Sequence, residues 1–531
     1  MSREDSLALT IRSEMKHIRG ITAAVIFFLS VSCSSQDRVH GFIHYRLNHN
    51  PTTLDPAMIV DVTGGAIAAK LFNGLVRLDD QYRIIPDIAE RWEISKDGRI
   101  YTFYLRHNIL FTNNQSVTAS DFKYSFKRVL EPGGRSPNGW VFDKIAGARD
   151  FMNGRATDVA GLSTPDRYIL RIELEEPFSP FLYLLTMTAA YVVSHEAVKQ
   201  AGADFSVNPV GTGPFLLNDW KHNDRVILRR NETYFGGMPH IAGIVYRIIP
   251  EDLTAVTQFE LGNLDVLSVP ASEYRRFLNS AIWKDLIVSM PGINTYYVGF
   301  NCSRPPFNDP LVRRAVSQAI DRKKILETYY EKRGILAQGP VPDVLRTWSL
   351  PASATYDPAA AAEIIRRTGL GGLTINFYIT SDQEVTDIAE IIQHFLRRAG
   401  LKVSIKQLEW SSYKAAINKG EGHMFWISWW ADYPDPENFL FPLFHSSNHG
   451  ASGNRTWYTN PAVDALIEKG QRSQDSAEQS LAYGEAEEII VHDAPWVSFW
   501  HKSDVTVRQS TVKNFHVYPI YSMDKGLEVS F

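Results

Sequence analysis

Cysteine is nearly absent from this chain, with only Cys33 and Cys302 among 531 residues, which excludes a disulfide framework. An excess of one charge sign is absent too. The 55 basic and 59 acidic residues give a formal net charge of -4, so no broad cationic surface for nucleic acid is expected. Motifs of the G-x-S-x-G, H-E-x-x-H and C-x-x-C types are missing, and we therefore predict no catalytic residue, no metal and no cofactor.

Long hydrophobic runs are also scarce, and the one near the N-terminus covers only residues 21–31. This run is too short for a permanent membrane helix, and basic residues precede it, as in a secretory signal. We predict that residues 1–32 are a signal peptide whose translation starts at Met15. No second long apolar segment follows, so the mature part is predicted to be exported and soluble.

Cys33 ends this signal, between Ser32 and Ser34. Its position is typical of the cysteine that bacterial lipoproteins acylate, although Ser30 stands where a leucine is usual and Leu29 lies one position too early. We predict lipidation of Cys33 and a membrane-anchored periplasmic location in the cell envelope. Cleavage by an ordinary signal peptidase is the alternative, and Cys302 is predicted to be a buried small hydrophobe.

Alternating strand and helix patterns run along the mature chain. Tyr101, Phe103 and Leu105 share one face of a predicted strand, and Thr118 with Asp121 forms the capping box of the helix that follows. Residues 373–410 read as strand, helix and strand, which predicts a parallel βαβ unit with a right-handed crossover. The sequence thus predicts an α/β protein with more than one domain.

Two candidate contact residues follow predicted strands of this unit. Trp410 ends the second strand, and Asp432 comes after the next one, HMFWISWW. Because ligands bind beyond the carboxyl ends of parallel strands, both residues are expected on one rim of the sheet.

The stretch WWADYPDPENF, residues 429–439, places Asp432 among aromatic rings and ahead of two prolines that stiffen the chain. A rigid carboxylate beside such rings can hold an ammonium group by a charge-assisted hydrogen bond and cation–π attraction. The alternative is that Asp432 caps a turn or starts a helix at 437–444. Aromatic residues make up 12% of the chain, which suits a binding cleft as well as a well-filled core.

Several motifs follow one another in register from residue 50 to residue 467. They are NPTTLDPA (50–57), LFNGLVRLD (71–79), the block from PDIAERWEISKDG to FKYSFKRVL (86–130), VGTGPFLLNDW (210–220), RRNETYFGG (229–237), FNDPLVRRAVSQAIDRKKI (307–325), WWADYPDPENFL (429–440) and YTNPAVDALI (458–467). With these motifs the chain resembles the family 5 solute-binding proteins of bacterial ABC importers, the oligopeptide- and dipeptide-binding proteins.

The resemblance implies a fold and a domain organisation. The expected fold is a two-lobed α/β clamshell of the type II periplasmic-binding-protein class with an additional inserted domain. Lobe I would take residues 34–74, 207–292 and 499–531, the inserted domain residues 75–206, and lobe II residues 293–498. The crossings near residues 292 and 498 would form the hinge.

The resemblance also implies ligand contacts. The acid of the W-x-x-D-Y pattern, here Asp432, holds the α-ammonium of the ligand in the peptide binders of this family. The ligand backbone is expected to pair with two segments, as a strand added to a sheet edge. These segments are Asp61, Val62 and Thr63 on one side and Ser428, Trp429 and Trp430 on the other.

Further aromatic contacts follow from the same resemblance. Trp410 matches a tryptophan that walls a side-chain pocket in the family. Trp140 and Tyr297 are expected to add apolar faces, although core packing is the favoured role for Tyr297.

The sequence departs from the family at one position. Family members that hold short peptides can bind the ligand carboxylate with an arginine three residues before the first tryptophan of the acidic motif, and Trp426 stands there. Arg455 is a candidate replacement, with a solvated loop arginine as the alternative. Ligand length and the fate of its carboxylate stay open.

The predicted function is therefore capture of short peptides and their delivery to an ABC permease and ATPase complex in the membrane, by a non-enzymatic monomer that does not bind nucleic acid. One alternative is a non-peptide solute on the same fold, such as a nickel chelate, haem, an opine or an oligosaccharide. The other is a peptide-sensing or chaperone role without import.

Overall fold

The computed structural model describes residues 40–133, 135–351 and 355–531. The predicted signal peptide and Cys33 lie outside the described residues, and both stay predictions. Over the described ranges, no helix combines the length and the apolar character that a membrane crossing requires.

The strands are numbered in chain order. They are β1 (Phe42–Leu47), β2 (Val76–Leu78), β3 (Ile84–Pro86), β4 (Ala89–Ile94), β5 (Ile100–Leu105), β6 (Leu162–Asp166), β7 (Ile169–Glu173), β8 (Phe215–Lys221), β9 (Arg225–Arg230), β10 (Gly243–Ile248), β11 (Val266–Ser268), β12 (Ile287–Pro291), β13 (Asn294–Phe300), β14 (Gly334–Leu336), β15 (Thr374–Thr380), β16 (Lys402–Leu408), β17 (Met424–Trp430) and β18 (Trp496–Arg508).

The helices are referred to by their bounds. The α-helices are Val62–Leu71, Ala119–Val129, Ala148–Met152, Phe181–Leu184, His195–Ala201, Asp252–Glu260, Tyr274–Leu278, Pro310–Ala319, Arg322–Lys324, Pro358–Arg367, Gln383–Arg398, Trp410–Asn418, Glu437–Phe444, Pro461–Arg472 and Ser476–Asp493. Short 3-10 helices lie between them, and Gly139–Val141 and Tyr521–Met523 are the two that matter for the site.

The described strands form three larger sheets and one two-stranded sheet. One four-stranded sheet has the order β1-β10-β9-β8, and a second has the order β4-β5-β7-β6. The eight-stranded sheet has the order β11-β18-β13-β17-β15-β16, with β12 and β14 also paired to β18. The pair β2-β3 stands alone. This mixture of sheets and helices is the α/β architecture that the sequence predicts.

The strand and capping box near residue 100 are confirmed. Tyr101, Phe103 and Leu105 on β5 are all buried in one core cluster. Thr118 donates to Asp121 Oδ2 from its backbone N at 2.9 Å and from its hydroxyl at 2.7 Å, directly before the helix Ala119–Val129. The period-two burial of the strand and the local capping chemistry were both readable without tertiary information.

The βαβ unit is confirmed as well. Strands β15 and β16 pair in parallel from Thr374 with Lys402 to Thr380 with Leu408, and the helix Gln383–Arg398 connects them. Gly400 follows this helix with φ +95°, a left-handed conformation that glycine adopts without strain. Strand β17 runs parallel to β15 and antiparallel to β13, so β15, β16 and β17 all end at the same edge.

Strand β18 connects two groups of strands. Its residues 496–500 pair with β13, and its residues 503–507 pair with β12. Between them, Asn294 Nδ2 donates to the Lys502 carbonyl at 2.9 Å and Asn294 Oδ1 accepts from Lys502 N at 2.7 Å. The change of partner therefore falls near residues 292 and 502, close to the predicted crossings, while the domain boundaries themselves stay predictions.

Candidate ligand-binding site

Asp432 lies two residues beyond β17, at the carboxyl edge of the parallel strands. Asn438, in the first turn of the helix Glu437–Phe444, holds it in place. Its Oδ1 accepts from Asp432 N at 2.9 Å and from Trp429 Nε1 at 3.3 Å, and its Nδ2 lies 3.5 Å from Asp432 Oδ2. Asn438 was missed from the sequence, because nothing in its spacing distinguishes it from other polar residues of a first helical turn.

The alternative role of Asp432, as a helix or turn cap, is wrong for its side chain. The acid that caps the following helix is Asp435, whose Oδ1 accepts from Glu437 N at 2.8 Å. Pro436 occupies the N-cap position itself. The Asp432 carboxylate therefore does not cap the helix, and it is left for a role other than capping.

Asp432 is unusual in that its carboxylate has no cationic partner among the described residues and has a raised pKa. Its carboxylate forms no ion pair with any described residue, and its one side-chain hydrogen bond is the long contact with Asn438. Water reaches the residue inside a cavity, yet the surrounding protein raises the pKa of its carboxyl by burial, and the Asn438 contact only partly opposes this. A carboxylate in such surroundings gains from a cationic partner.

Two further acids follow Asp432 in the chain without an ion-pair partner among the described residues, and of these Glu437 lines the cavity. Burial raises the pKa of Asp435 to about 7. Burial also raises the pKa of Glu437, whose oxygens accept from the Tyr433 hydroxyl and, at 2.7 Å, from Gln471 Nε2. Asp143, Asp432 and Glu437 line the cavity together with one lysine, Lys144, so acidic groups prevail and favour a cationic group of the ligand over an anionic one.

The cavity beside Asp432 measures about 360 Å³. Elements far apart in the chain line it, among them the 3-10 helix Gly139–Val141, residues near 178–184, the segment after β17 and the helix Pro461–Arg472. Of the residues predicted to contact ligand, Asp432, Trp140 and Trp429 meet here. The topology alone could not show that Trp140 joins Asp432, because almost 300 residues separate them.

Tyr521 approaches the site from the C-terminal segment. Burial raises the pKa of its phenol, and the carboxylates of Asp432 and Asp61 both add to that rise, so both acids lie within electrostatic reach of the hydroxyl. The ring packs on Gly65, where an added Cβ would lie 2.4 Å from a ring carbon. The sequence carried no signal for Tyr521, because its position depends on the path of the last thirty residues.

Strand β17 offers the backbone edge that was predicted for residues 428–430. Ser428, Trp429 and Trp430 pair with β13 on one side. On the other side, β15 pairs with β17 only at Met424 and Phe425. The ladder with β15 thus stops before residues 428–430, and the edge beyond it is available to an extended chain.

The segment Asp61–Thr63 differs from the extended geometry that was predicted. Only Asp61 is extended, with φ -109° and ψ 147°, and it caps the helix Val62–Leu71 by accepting from Gly64 N at 2.7 Å. Val62 and Thr63 are the first helical residues. The start of a helix cannot pair as a strand edge, and the Asp61 side chain explains why the helix begins here.

Three of the tryptophans predicted to contact ligand are exposed to solvent. Trp140 is 42% exposed, Trp410 55% and Trp430 42%. Trp410 was predicted to end the second strand, but β16 ends at Leu408 and Trp410 begins the helix that follows. Lys414 Nζ lies 5.4 Å from its ring centroid, and Trp410 does not line the cavity beside Asp432. These tryptophans keep open faces, whereas most large aromatic side chains of the chain are in the cores.

Tyr297 is packed in the core, which is the role that the sequence favoured. It is only 2% exposed, and its ring centroid lies 3.5 Å from that of Trp496. Its place in the middle of β13, between β17 and β18, buries both faces of the ring.

Arg455 is not a solvated loop arginine, so that alternative is wrong, while its role as a replacement for the family arginine stays a prediction. It is 7% exposed, and its Nε donates to Asn418 Oδ1 at 2.9 Å, at the end of the helix Trp410–Asn418. A guanidinium is stabilised by the partial negative charge at a helix C-terminus, which explains why the arginine is tolerated there.

Trp426, which stands at the position of the family arginine, is a core residue. It is buried against Phe499 and Trp500, with ring centroids 4.9 and 5.6 Å away.

Cys302 was predicted to be buried, but it is only partly buried. Burial nevertheless raises the pKa of its thiol to about 12. Across the described parts of the chain, no group of three or more His, Cys, Asp or Glu residues is arranged for a metal ion.

Comparison with known proteins now places the chain in a class. The family described as "Bacterial extracellular solute-binding proteins, family 5 Middle" matches residues 83–451, and the chain belongs to this family. It is a solute-binding protein and not an enzyme, as predicted.

Individual relatives span nearly the whole chain. Heme-binding protein A of Haemophilus influenzae is 28% identical over 505 residues, covering 90% of each protein. The periplasmic murein peptide-binding protein MppA of Escherichia coli is 28% identical over 517 residues, covering 91% of this chain and 93% of the relative. The probable D,D-dipeptide-binding protein DdpA of Escherichia coli is 26% identical over 490 residues, covering 89% and 90%.

Solved structures confirm the fold class. The unliganded open form of MppA superimposes with a TM-score of 0.79 at 25% identity, covering 93% of this chain and 98% of that one. The Helicobacter pylori DppA structure in complex with the peptide STSA gives a TM-score of 0.75 at 25% identity, covering 94% and 99%. The predicted two-lobed α/β clamshell is therefore confirmed as the fold.

The titration of the acidic wall leads to a prediction for ligand binding. An ammonium ligand stays charged below pH 7, whereas a carboxyl group with a raised pKa loses its charge at a higher pH than its ordinary value of 3.8. We expect affinity for a free-amine ligand to fall on acidification at a higher pH than an ordinary carboxyl group would give, because a neutral Asp432 no longer pairs with the ammonium. Calorimetry between pH 7 and pH 4 measures the effect, with Asp435→Asn as the variant that separates the contribution of Asp435 from that of Asp432. An affinity that is flat down to pH 4 contradicts the prediction.

Proposed function

We propose that this chain is the substrate-binding component of an ABC importer for short peptides. It captures a peptide between its two lobes and delivers it to a permease and ATPase complex in the membrane. The observation that carries the proposal is the Asp432 carboxylate, which lies in a cavity wall without an ion-pair partner among the described residues.

The α-ammonium group of the peptide is the partner that we assign to Asp432. A pair of unit charges 4 Å apart is worth about 4 kcal/mol at an effective dielectric constant of about 20, before desolvation is subtracted. The remaining gain is larger in a closed site from which water is excluded. Asn438 supports the pair by fixing the backbone of Asp432 and the indole of Trp429.

The backbone of the peptide would pair with residues 428–430. Support comes from the β17 edge, where the ladder with β15 has already ended. Main-chain pairing does not depend on side chains, so it provides affinity for many sequences. Trp410 and Trp430 would add apolar faces, and the helix start at Asp61–Thr63 would face the ligand from the other lobe through its first N–H groups rather than as a strand.

Closure of the lobes would commit the peptide to transport. We assign lobe I to residues 34–74, 207–292 and 499–531, the inserted domain to residues 75–206, and lobe II to residues 293–498. The change of strand partners near residues 292 and 502 supports a hinge at this place. We further propose a monomer in the periplasm, held at a membrane by lipidated Cys33.

The names of relatives support a peptide ligand. MppA is named a murein peptide-binding protein, DdpA a D,D-dipeptide-binding protein, and the Helicobacter pylori structure contains the peptide STSA. Haem is the second candidate ligand, because one relative of similar identity is named Heme-binding protein A. An absorbance titration with haemin tests this second candidate separately.

The direct test of the peptide proposal uses the purified mature chain and a mixture of short peptides. Calorimetry is carried out with the free peptides and with the same mixture after N-acetylation. We expect binding of the free peptides and a loss of at least about 30-fold after acetylation, because the acetyl group removes the charge that Asp432 pairs with. Equal affinities for both mixtures overturn the ammonium assignment. Mass spectrometry of ligand retained through purification identifies the natural peptide.

A further inference from the structure

The cavity beside Asp432 extends past the carboxylate, so the first side chain of a peptide anchored there would begin close to the cavity. An ammonium nitrogen held by Asp432 lies about 2.8 Å from a carboxylate oxygen. The α-carbon lies about 1.5 Å further on, so the first side chain of the peptide must begin within roughly 6 Å of Asp432. The inference drawn from this geometry rests on the proposed function, because it takes the ammonium as anchored at Asp432.

Aromatic rings line the part of the cavity that the first side chain would enter. Trp140, Phe178, Trp429 and Phe441 all contribute to the wall, and Leu184 adds an aliphatic group. Flat rings present both faces and edges, which suit stacked or edge-to-face contact with another ring. A small side chain would leave this apolar wall in contact with water.

The size of the cavity agrees with a large side chain. Its volume is about 360 Å³. An apolar protein cavity of about 150 Å³ is already large enough to bind benzene. The cavity thus accommodates a six-membered or fused ring together with the start of the peptide backbone.

The polar groups of the cavity argue against charged first side chains. Both oxygens of Glu437 already accept a hydrogen bond, from the Tyr433 hydroxyl and from Gln471, so a cationic side chain would have to compete with these neighbours for Glu437. Lys144 also lines the cavity, with its ammonium 5.7 Å from the Phe178 ring centroid and 3.9 Å from Asp143 Oδ1, and it would repel a second cation. An acidic side chain would meet Asp432 and Glu437.

A second cavity of about 590 Å³ adjoins this one. The two share Asp143, Lys144, Phe178, Phe441 and Gln471, and the second is lined by charged side chains of both signs. A hydroxyl or indole N–H at the tip of a ring would find polar partners among these shared residues.

We propose that this cavity binds the side chain of the first ligand residue, and that it selects an aromatic side chain. Trp140 is the specificity-determining residue that is most accessible to test. It lies on the 3-10 helix Gly139–Val141, which the Asn138 amide fixes by donating to the carbonyls of Ala57 at 3.2 Å and Ile59 at 2.9 Å. The ring itself is 42% exposed, so its removal should not unfold the protein.

The experiment compares three tripeptides, Phe-Ala-Ala, Ala-Phe-Ala and Ala-Ala-Ala, by calorimetry on the full mature chain. We expect Phe-Ala-Ala to bind about 10- to 100-fold more tightly than Ala-Ala-Ala, from burial of one ring. Trp140→Ala should abolish most of this preference and leave Ala-Phe-Ala unchanged, and Trp140→Phe should restore part of it. Trp92→Ala is the matched control, because it removes a partly exposed tryptophan on β4 that lines neither cavity and has no assigned role in ligand binding.

The outcomes separate this inference from the proposed function. If the peptides bind through Asp432 but show no preference at the first position, the inference is overturned and the proposed function stands. A Trp140→Ala variant that weakens all three peptides equally also overturns it, since Trp140 would then act on the backbone. If Arg-Ala-Ala, tested in addition, binds more tightly than Phe-Ala-Ala, the cavity selects a cation instead. Failure of all peptides to bind overturns both.

Discussion

Asp432→Asn is expected to weaken the binding of free-amine peptides by about 30- to 1000-fold, equivalent to about 2–4 kcal/mol. The substitution keeps the shape of the side chain and its contact with Asn438, while it removes the charge that would pair with the ammonium group. The loss should appear mainly as faster peptide dissociation, because a buried pair governs how long the complex lasts. Stopped-flow or calorimetric measurements on the same peptide determine it.

The control for this result is an N-acetylated peptide. Because it has no ammonium group, its affinity for the wild type and for Asp432→Asn should agree within about threefold. Together the two proteins and two peptides form a double-mutant cycle that isolates the pair from general effects on the site. If Asp432→Asn weakens the free and the acetylated peptide to the same extent, then Asp432 shapes the cavity without holding the ammonium.

Asp524→Asn is expected to cost about 3 kcal/mol of unfolding free energy at pH 7, because it strands a buried charge. Lys70 Nζ lies 2.9 Å from Asp524 Oδ2, and the Lys70 side chain is 3% exposed, against 36% for Asp524. The asparagine can still accept from Gly526 N, as Asp524 Oδ1 does at 2.9 Å. The substitution therefore tests the charge more than the local turn.

The reverse variant should be mild. Lys70→Met removes the buried charge and leaves Asp524 partly in water, so we expect a loss of about 1 kcal/mol or less. Urea unfolding of both variants measures this asymmetry. Equal losses would show that the burial of Lys70 does not set the energy of the pair.

The pH dependence of Asp524→Asn follows from the same pair. Burial lowers the pKa of Lys70 below its ordinary 10.5, and burial lowers the pKa of the neighbouring Lys525 to about 8. A lysine with a lowered folded-state pKa destabilises the fold while it is charged, so this cost decreases as the pH rises through the lowered pKa toward 10.5. The loss caused by Asp524→Asn should therefore be smaller at pH 10 than at pH 7. This matters for the site, because Lys70 links the helix Val62–Leu71 to the segment that carries Tyr521.

Local patterns predicted the elements around the site with good accuracy. The βαβ unit and the strand before Asp432 depend on periodicity, capping and the parallel arrangement of neighbouring strands, all of which are local in sequence. The resemblance to a family supplied what periodicity cannot, which is the assignment of Asp432 to an ammonium and of the fold to a two-lobed clamshell.

Predictions about burial and partners were less reliable. A solvated loop position was one alternative for Arg455, yet this residue is buried against Asn418, because the end of one helix and a loop nearly forty residues later happen to meet. Val62 and Thr63 were expected to be extended, yet Asp61 caps them into a helix. In both places a hydrogen bond of one side chain decided the outcome, and a pattern of residue types does not specify such a bond.

By itself the sequence determined the α/β class, the strand order of the βαβ unit and the placement of an acid at a strand end, because these follow from local propensity and connection rules. Only the tertiary structure decided that Trp140 and Asn438 line the same cavity as that acid, that Tyr521 lies within its electrostatic reach, and that no described cation forms an ion pair with it. The physical reason is that the free energy of a charge depends on every group packed around it, and those groups come together only when distant segments fold against one another.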